Sequence, residues 1–216
     1  MSPVPPEGPL DAEGFARLVP VSRETLARLE AHLALLARWQ RRINLVGAAS
    51  LADPWRRHIL DSAQLLRLLP GTDLRLLDLG SGAGFPGLVL ALLGVREVHL
   101  VESDRRKAAF LAEAVRLTGA SGVTLHRRRI EALAPFPVEV VTARALAPLP
   151  RLLELAAPFL GSATLGLFPK GGNFEAELTE ARRHWRMRTQ IEPSLSSPEG
   201  RILVLREVRR VRSSRA

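Results

Sequence analysis

The residues of this chain best suited to chemistry lie between Asp78 and Gly87, where an apolar run ends in an acid and four glycines follow. The run from Leu74 to Leu79 is typical of a buried strand, and the residues after the glycines begin a helix. Glycine has no Cβ and tolerates positive φ, so such a turn lets the backbone approach a ligand closely. The sequence therefore predicts a strand–turn–helix unit that binds a nucleotide-like molecule.

Two cofactor classes fit the spacing of these glycines. Gly82, Gly84 and Gly87 satisfy the G-x-G-x-x-G fingerprint of dinucleotide-binding proteins. Asp78 followed by Gly80, Gly82 and Gly84 at every second position is the pattern of S-adenosylmethionine (SAM) methyltransferases. A carboxylate at position 78 would repel a pyrophosphate, which needs bare backbone N–H groups, whereas SAM carries a cationic ammonium and sulfonium. Asp78 therefore favours SAM, and we expect its carboxylate near that cofactor.

Glu102 is a second candidate for cofactor binding, 24 residues after Asp78 and at the end of the next apolar run. Dinucleotide and SAM sites both use an acid at this place, because a carboxylate accepts hydrogen bonds from ribose hydroxyls. A carboxylate that only complements the following helix dipole is the alternative. The position at the end of a strand favours the ribose.

From Leu74 onward, strands and helices alternate, which predicts a mostly parallel, doubly wound α/β sheet. Ligands bind such sheets beyond the carboxyl ends of the strands. No helix is evident between the last two predicted strands, so we expect the final strand to be antiparallel. The predicted strands span 74–79, 97–102, 123–127, 138–142, 163–168, 188–192 and 202–208, with helices over 84–93, 103–118, 150–160 and 174–185.

The residues before this sheet divide into two parts. Residues 1–20 are rich in proline with little periodicity, which predicts a flexible N-terminal arm. Ser22 begins a helix that reaches about Arg42, and Asp53 begins a second that reaches about Leu69. We therefore expect an arm at 1–20, a helical cap at 21–70, a cofactor-binding domain at 71–208, and a disordered basic tail at 209–216.

Composition limits the classes of function. The net charge is +9, carried by 29 arginines and 2 lysines, which suggests a polyanionic partner such as RNA or else a GC-rich genome. The absence of cysteine excludes disulfides and thiolate metal sites. No signal peptide or stretch of eighteen apolar residues is present, so we expect a cytoplasmic protein with no membrane partner.

Segments around the glycine loop make the prediction more specific. In order along the chain they are Trp39 to Val46, Arg57-His58-Ile59-Leu60-Asp61-Ser62, the loop itself, Thr142-Ala143-Arg144-Ala145 and Pro169-Lys170-Gly171. This order closely resembles the RsmG (GidB) family of bacterial 16S ribosomal RNA guanine-N7 methyltransferases over about residues 25–208. The resemblance implies a Rossmann-like, seven-stranded SAM-methyltransferase sheet with an N-terminal helical cap.

The resemblance also implies SAM contacts at Gly80 and Phe85 in the loop and at Glu102. Further contacts are implied at Ile130 and Glu131 after the third strand and at Arg144 after the fourth. The loop residues Asp78, Gly82 and Gly84 complete the expected cofactor site. The family often has leucine where this chain has Phe85, and it offers no counterpart for the proline-rich arm.

Transfer to guanine N7 needs no general base, because N7 is an unprotonated ring nitrogen with a lone pair. The expected work of the enzyme is positioning and exclusion of water. We predict no metal and no certain catalytic residue, with Arg144 and Lys170 as positioning candidates, for either of which a plain surface role is the alternative. Base-stacking candidates are Trp39, Trp55, Phe85 and Phe168.

The sequence thus predicts a monomeric SAM-dependent methyltransferase whose partner is 16S rRNA or the small ribosomal subunit. Two alternatives remain open at this point. The first is a NAD-dependent dehydrogenase that uses Gly82-x-Gly84-x-x-Gly87. The second is a catalytically idle RNA-binding protein of the same fold.

Overall fold

The computed structural model describes residues 8–211 and contains one seven-stranded sheet. The strand order is β3-β2-β1-β4-β5-β7-β6, with β7 antiparallel to both of its neighbours. The predicted α/β sheet with an antiparallel last strand is therefore confirmed. The strands are β1 (Arg75–Leu79), β2 (Glu97–Val101), β3 (Val123–His126), β4 (Val140–Thr142), β5 (Leu165–Lys170), β6 (Trp185–Pro193) and β7 (Arg201–Arg210).

Helices cover both faces of the sheet, because successive strand residues point to opposite faces. Leu76 packs on one face with the helices before β3, and Leu77 packs on the other with the two helices after β4. The α-helices are α1 (Ala12–Leu18), α2 (Arg23–Gln40), α3 (Asp61–Ala63), α4 (Gly87–Leu92), α5 (Arg105–Thr118), α6 (Leu149–Ala156) and α7 (Phe174–His184).

The expected N-terminal arm contains a helix, so the prediction of a loose segment is wrong for α1. The Asp11 carboxylate caps this helix by accepting from Gly14 N at 2.7 Å. Phe15 is fully buried, and its ring centroid lies 5.5 Å from that of Trp55. The Asp11 cap and the burial of Phe15 together favour a seven-residue helix that the proline-rich composition does not predict. Residues 1–7 of the predicted arm lie outside the described residues.

The second helix of the cap is irregular, whereas the sequence predicts one continuous helix to Leu69. It consists of a 3₁₀ turn (Ala48–Ala52), a π-helix (Trp55–Leu60), α3, and a 3₁₀ turn (Gln64–Leu68). Three consecutive residues of the π-helix, His58 to Leu60, are buried. The Ser62 hydroxyl donates a hydrogen bond to the His58 carbonyl at 2.7 Å, so this carbonyl is paired despite the irregular turn.

Smaller corrections affect the ends of elements. The helix predicted over 103–118 begins at Arg105, because the Asp104 carboxylate caps it by accepting from Arg106 N and Lys107 N. The helix after the glycine loop begins at Gly87, not at Gly84, because Gly84 has φ +84°. Arg209 and Arg210 belong to β7, since both pair with β6, and only residues 212–216 of the predicted tail lie outside the described residues. Within residues 8–211, no helix is long and apolar enough to cross a bilayer.

Candidate active site

The glycine loop after β1 is shaped by close contacts at two of its glycines. Gly80 has φ +68°, and a Cβ there would lie 2.6 Å from Leu146 Cδ1. A Cβ at Gly87 would lie 2.8 Å from the Asp78 carboxylate and 2.5 Å from Leu100. Both positions therefore require glycine for packing. The loop is pressed between strand ends on one side and the segment after β4 on the other.

Asp78 holds this loop from beneath instead of facing a ligand. Its side chain is fully buried, and its carboxylate accepts from Thr142 Oγ1 at 2.9 Å and from Gly87 N at 3.3 Å. Burial raises the pKa of Asp78 to about 6, although the hydrogen bonds to its carboxylate lower the pKa in part. The expectation that this carboxylate lies against the cofactor is therefore wrong. Buried at the end of β1, it serves instead to fix the start of α4.

Glu102 lies directly after β2 and bridges two loops. One carboxylate oxygen accepts from Gly82 N at 3.0 Å and the other from Asp104 N at 2.7 Å. Three more N–H groups of the glycine loop are also paired, those of Ser81, Gly84 and Gly87. A pyrophosphate would meet a carboxylate and few free donors at this loop, so the geometry disfavours a dinucleotide.

A cavity of about 1270 Å³ opens at the carboxyl ends of β1, β4 and β5, where a doubly wound sheet binds its ligands. Its walls come from the connector after α2, the π-helix, the glycine loop, the segment after β4, and the loop between β6 and β7. Among the predicted site residues, the cavity is lined by Gly80, Gly82, Phe85, Arg144 and Lys170.

Arg144 joins the sheet to the cap at the wall of this cavity. Its guanidinium donates to the Arg57 carbonyl at 2.9 Å, to Asp61 Oδ2 at 3.2 Å and to His58 Nδ1 at 3.0 Å. Its Cζ also lies 5.0 Å from the centroid of the Phe85 ring. His58 and Asp61 of the cap are therefore joined to the cofactor-binding domain through one shared partner, Arg144.

Phe85 is enclosed by two neutral imidazoles. The ring centroids of His58 and His32 lie 4.7 and 4.9 Å from that of Phe85, both in stacked geometry. Burial lowers the pKa of His32 to about 4 and that of His58 to about 3, the latter with help from the charges of Arg144 and Arg57. Because the Phe85 ring is stacked against the rings of His32 and His58, it is not free to stack on a base.

The His58 ring leaves one buried donor unsatisfied beside the cavity. Because Arg144 donates to Nδ1, the imidazole proton lies on Nε2. Within the described residues, Nε2 is buried and has no hydrogen-bond partner. A buried polar group of this kind is normally paired, and its enclosure keeps Nε2 out of contact with the cavity in this structure.

Lys170 is the last residue of β5, and its ammonium group is held by two acceptors. Its Nζ donates to the Ala147 carbonyl at 2.9 Å and to Glu177 Oε2 at 2.8 Å. Glu177 Oε2 also accepts from Leu149 N at 2.7 Å. The lysine and the glutamate together therefore clamp the segment that follows β4 and carries Arg144.

A family model described as rRNA small subunit methyltransferase G (GidB) matches residues 25–204 of this chain. The chain belongs to the rRNA small subunit methyltransferase G family.

Individual members of this family are highly similar to the chain. Ribosomal RNA small subunit methyltransferase G of Rhodospirillum rubrum is 62% identical over 198 residues, 92% of this chain and 98% of that protein. The protein of the same name from Rhodospirillum centenum is 54% identical over 197 residues, 91% of each chain. The predicted SAM-dependent rRNA methyltransferase is thereby confirmed at the level of the family.

Solved structures show the fold. A mutant of MtNAS in complex with S-adenosylmethionine matches with a TM-score of 0.58 and 16% identity, covering 91% of this chain and 84% of that one. A TehB-like SAM-dependent methyltransferase from Corynebacterium glutamicum matches with a TM-score of 0.55 and 18% identity, covering 82% and 98%. The predicted SAM-methyltransferase sheet is therefore confirmed.

Several residues predicted from resemblance to this rRNA methyltransferase family do not line the cavity. Ile130 and Glu131 lie in a 3₁₀ turn after β3, where Ile130 is buried and Glu131 pairs with Arg151 at 2.9 Å. Gly84 and Glu102 contribute to the glycine loop but not to the cavity wall. The cofactor contacts of these four residues therefore stay predictions.

The other aromatic residues predicted to stack on a base pack inside the protein. Trp39 donates to Glu113 Oε2 at 2.9 Å and packs edge-on against Phe110, which joins α2 to α5. Trp55 packs on Phe15, and Phe168 is fully buried. None of these side chains lines the cavity, so the interpretation that they stack on a base has no support in the fold.

Sequence reasoning missed the loop between β6 and β7, which closes one wall of the cavity. The Ser196 hydroxyl donates to Asp61 Oδ1, and Gln64 accepts from Leu195 N at 2.6 Å. Ser196 is separated from Asp61 by 135 residues, and isolated serines in a loop carry no pattern. Glu177 was missed for a similar reason, since its role depends on a pairing between α7 and β5.

Proposed function

We propose that this protein transfers a methyl group from SAM to N7 of a guanine in 16S rRNA. The proposal combines family membership with one geometric observation. That observation is the bond between the Glu102 carboxylate and Gly82 N, which leaves the glycine loop suited to a cofactor without phosphate. A NAD-dependent dehydrogenase is disfavoured by the same bond.

The glycine loop and the carboxylate after β2 fit SAM. We infer that the loop backbone at Gly80, Gly82 and Gly84 lies along the cofactor, and that Glu102 receives its ribose hydroxyls. When bound, SAM supplies an electrophilic methyl group on a sulfonium.

The residues of the chain position the guanine without having to remove a proton. N7 carries a lone pair in the neutral base, so no general base is needed. Among the described residues at the cavity wall, the candidate bases are already engaged: Asp61 with Arg144 and Ser196, and Glu177 with Lys170. The low pKa of His58 keeps it neutral but buried against Phe85. The work left to the enzyme is alignment and exclusion of water.

The substrate guanine must be accessible outside a regular helix. N7 faces the deep and narrow major groove of A-form RNA, which a protein cavity cannot enter. We infer that the target guanine is unpaired or splayed out, and that it enters beside Arg144 and Lys170. We further propose that the protein acts as a monomer in the cytoplasm, with naked 16S rRNA or the small subunit as partner.

A map of modified nucleosides tests this function. Ribosomal RNA from a strain lacking the gene is expected to lose one N7-methylguanosine from 16S rRNA, and the purified protein with SAM is expected to restore it. An otherwise idle RNA-binding protein would restore nothing. A full set of N7-methylguanosines in the deletion strain would refute the substrate assignment.

A further inference from the structure

Five exposed arginines form a basic surface beside the candidate active site, which we name the arginine patch. Its members are Arg105, Arg106, Arg127, Arg128 and Arg129. Within residues 8–211, none of the five guanidinium groups forms an ion pair or a side-chain hydrogen bond. The patch is therefore a group of like charges that the fold brings together without neutralising them.

The patch is assembled from two loops at the same edge of the sheet as the cavity. Arg105 and Arg106 begin α5 after β2, and the other three follow β3. Val101 pairs with His126, so the two loops leave neighbouring strand ends. Ser103 to Arg106 and Arg129 line one shallow depression of about 490 Å³. Lys107, the next residue of α5, lines the main cavity and so connects the two sites.

Elsewhere on the surface, many arginines of this chain have acidic partners. Arg75 pairs with Glu97 at 2.8 Å, and Arg151 pairs with Glu131 and Glu154, both at 2.9 Å. Asp104, which adjoins Arg105 in the chain, is already engaged, because its carboxylate caps the first N–H groups of α5. The patch therefore lacks the acidic partners that Arg75 and Arg151 have.

The positive charges at the start of α5 also lower the stability of this helix. Three cations in the first turn face the positive end of the helix dipole, where acids would be stabilising. Mutual repulsion among the five arginines adds to that cost. An extended polyanion removes both penalties, and its phosphates match the fork of the guanidinium group. A partner with many negative charges accounts for the arrangement better than a role in folding.

We propose that the arginine patch binds the phosphate backbone of the rRNA strand that flanks the target guanine. This inference rests on the proposed function for its choice of partner. The patch contributes affinity and register, not base recognition, because phosphate contacts carry no sequence information. Lys107 continues the track of positive charge from the patch to the cavity.

The test compares two triple variants of equal charge. The patch variant carries Arg105→Ala, Arg106→Ala and Arg128→Ala, which leaves Arg129 beside the 3₁₀ turn intact. The control variant carries Arg182→Ala, Arg206→Ala and Arg209→Ala, three exposed arginines on α7 and β7. Binding to unmethylated 16S rRNA is measured over a range of salt concentrations, together with SAM affinity and methyl transfer.

We expect the patch variant to bind RNA at least tenfold more weakly than the control at low salt. Its negative slope of log affinity against log salt should be less steep by about 2, since three phosphate contacts are lost and each contact to a single strand contributes about 0.7. SAM affinity should be unchanged in both variants. Salt slopes that are equal in the two variants would overturn the proposal.

Two further outcomes separate this inference from the proposed function. If wild-type protein binds rRNA with the expected salt slope but transfers no methyl group, the enzymatic assignment fails and the patch stands. If the patch variant binds naked rRNA normally but loses affinity for small subunits, the patch recognises an acidic protein instead, and the proposal is wrong.

Discussion

Asp78 lies in β1 and Glu102 directly follows the neighbouring β2, yet their surroundings give them different tasks. Asp78 is fully buried with two intramolecular donors, and its raised pKa reflects the cost of keeping a charge there. Glu102 is slightly exposed and accepts from Gly82 N and Asp104 N, at the surface of the loop. The first carboxylate shapes the loop, and the second remains the candidate for ligand binding. An acid in a sequence motif therefore does not reveal whether its carboxylate faces the ligand or supports the loop from inside the protein.

Replacing Glu102 tests its role at the level of a single side chain. We expect Glu102→Ala to weaken SAM binding by about 1–3 kcal/mol through lost hydrogen bonds to the ribose. Calorimetric titration with SAM measures this change. Glu154→Ala, at an exposed ion pair with Arg151, is the matched control and should bind SAM normally. Unchanged SAM affinity in Glu102→Ala would limit this residue to supporting the loop.

The segment between β4 and α6 is the element on which the cavity depends most. Ala145 has φ +52°, a conformation that costs energy in a residue other than glycine. Leu146 packs against Gly80 on one side of it, and Arg144 binds the cap on the other. The Lys170–Glu177 clamp offsets the strain by holding the Ala147 carbonyl and Leu149 N. We infer that the clamp positions Arg144.

A double-mutant cycle tests the clamp. Lys170→Met removes two hydrogen bonds and leaves the Glu177 carboxylate without its cation, so we expect a loss of about 2 kcal/mol in the free energy of unfolding. Glu177→Gln and the double variant complete the cycle in urea unfolding. The coupling energy should exceed about 1 kcal/mol. A coupling energy near zero, with methyl transfer lost in Lys170→Met, would instead favour direct contact between Lys170 and the substrate.

The same elements show what local sequence could and could not predict. Strands from β1 to β5 follow apolar runs, and the antiparallel β7 follows from the lack of a crossover helix, so periodicity and connection length were enough. The π-helix and α1 were not predictable, because burial of His58 and Phe15 depends on partners distant in sequence. The wall formed by Ser196 and the clamp at Glu177 depend on tertiary pairing in the same way.

At the scale of the whole molecule, some arginines form ion pairs with acids and others do not. Most ion pairs join arginines to acids on nearby elements, as in Arg38 with Glu113 across two helices. The arginine patch has none among the described residues. A GC-rich genome accounts for arginine in place of lysine, but it does not account for unpaired arginines gathered beside a cavity. The net charge of +9 therefore supports a nucleic-acid partner through its arrangement more than through its size.

The stability of the whole molecule should fall as the pH drops from 7 to 5. His32 and His58 have pKa values lowered to about 4 and about 3, so they stay neutral in the folded protein. In the unfolded chain their pKa is about 6.5, and proton uptake there costs the folded state about 2 kcal/mol per histidine at pH 5.

Asp78 acts in the opposite direction. Its pKa is raised to about 6, so the folded state takes up a proton first and gains about 1 kcal/mol by pH 5. The net expectation is a loss of about 2–3 kcal/mol in the free energy of unfolding between pH 7 and pH 5, measured by urea denaturation. Replacing the exposed His184 with glutamine should leave this loss unchanged, whereas His32→Gln should reduce it by about 2 kcal/mol. An unfolding free energy that stays constant from pH 7 to pH 5 would mean that the two imidazoles beside Phe85 accept protons in the folded state.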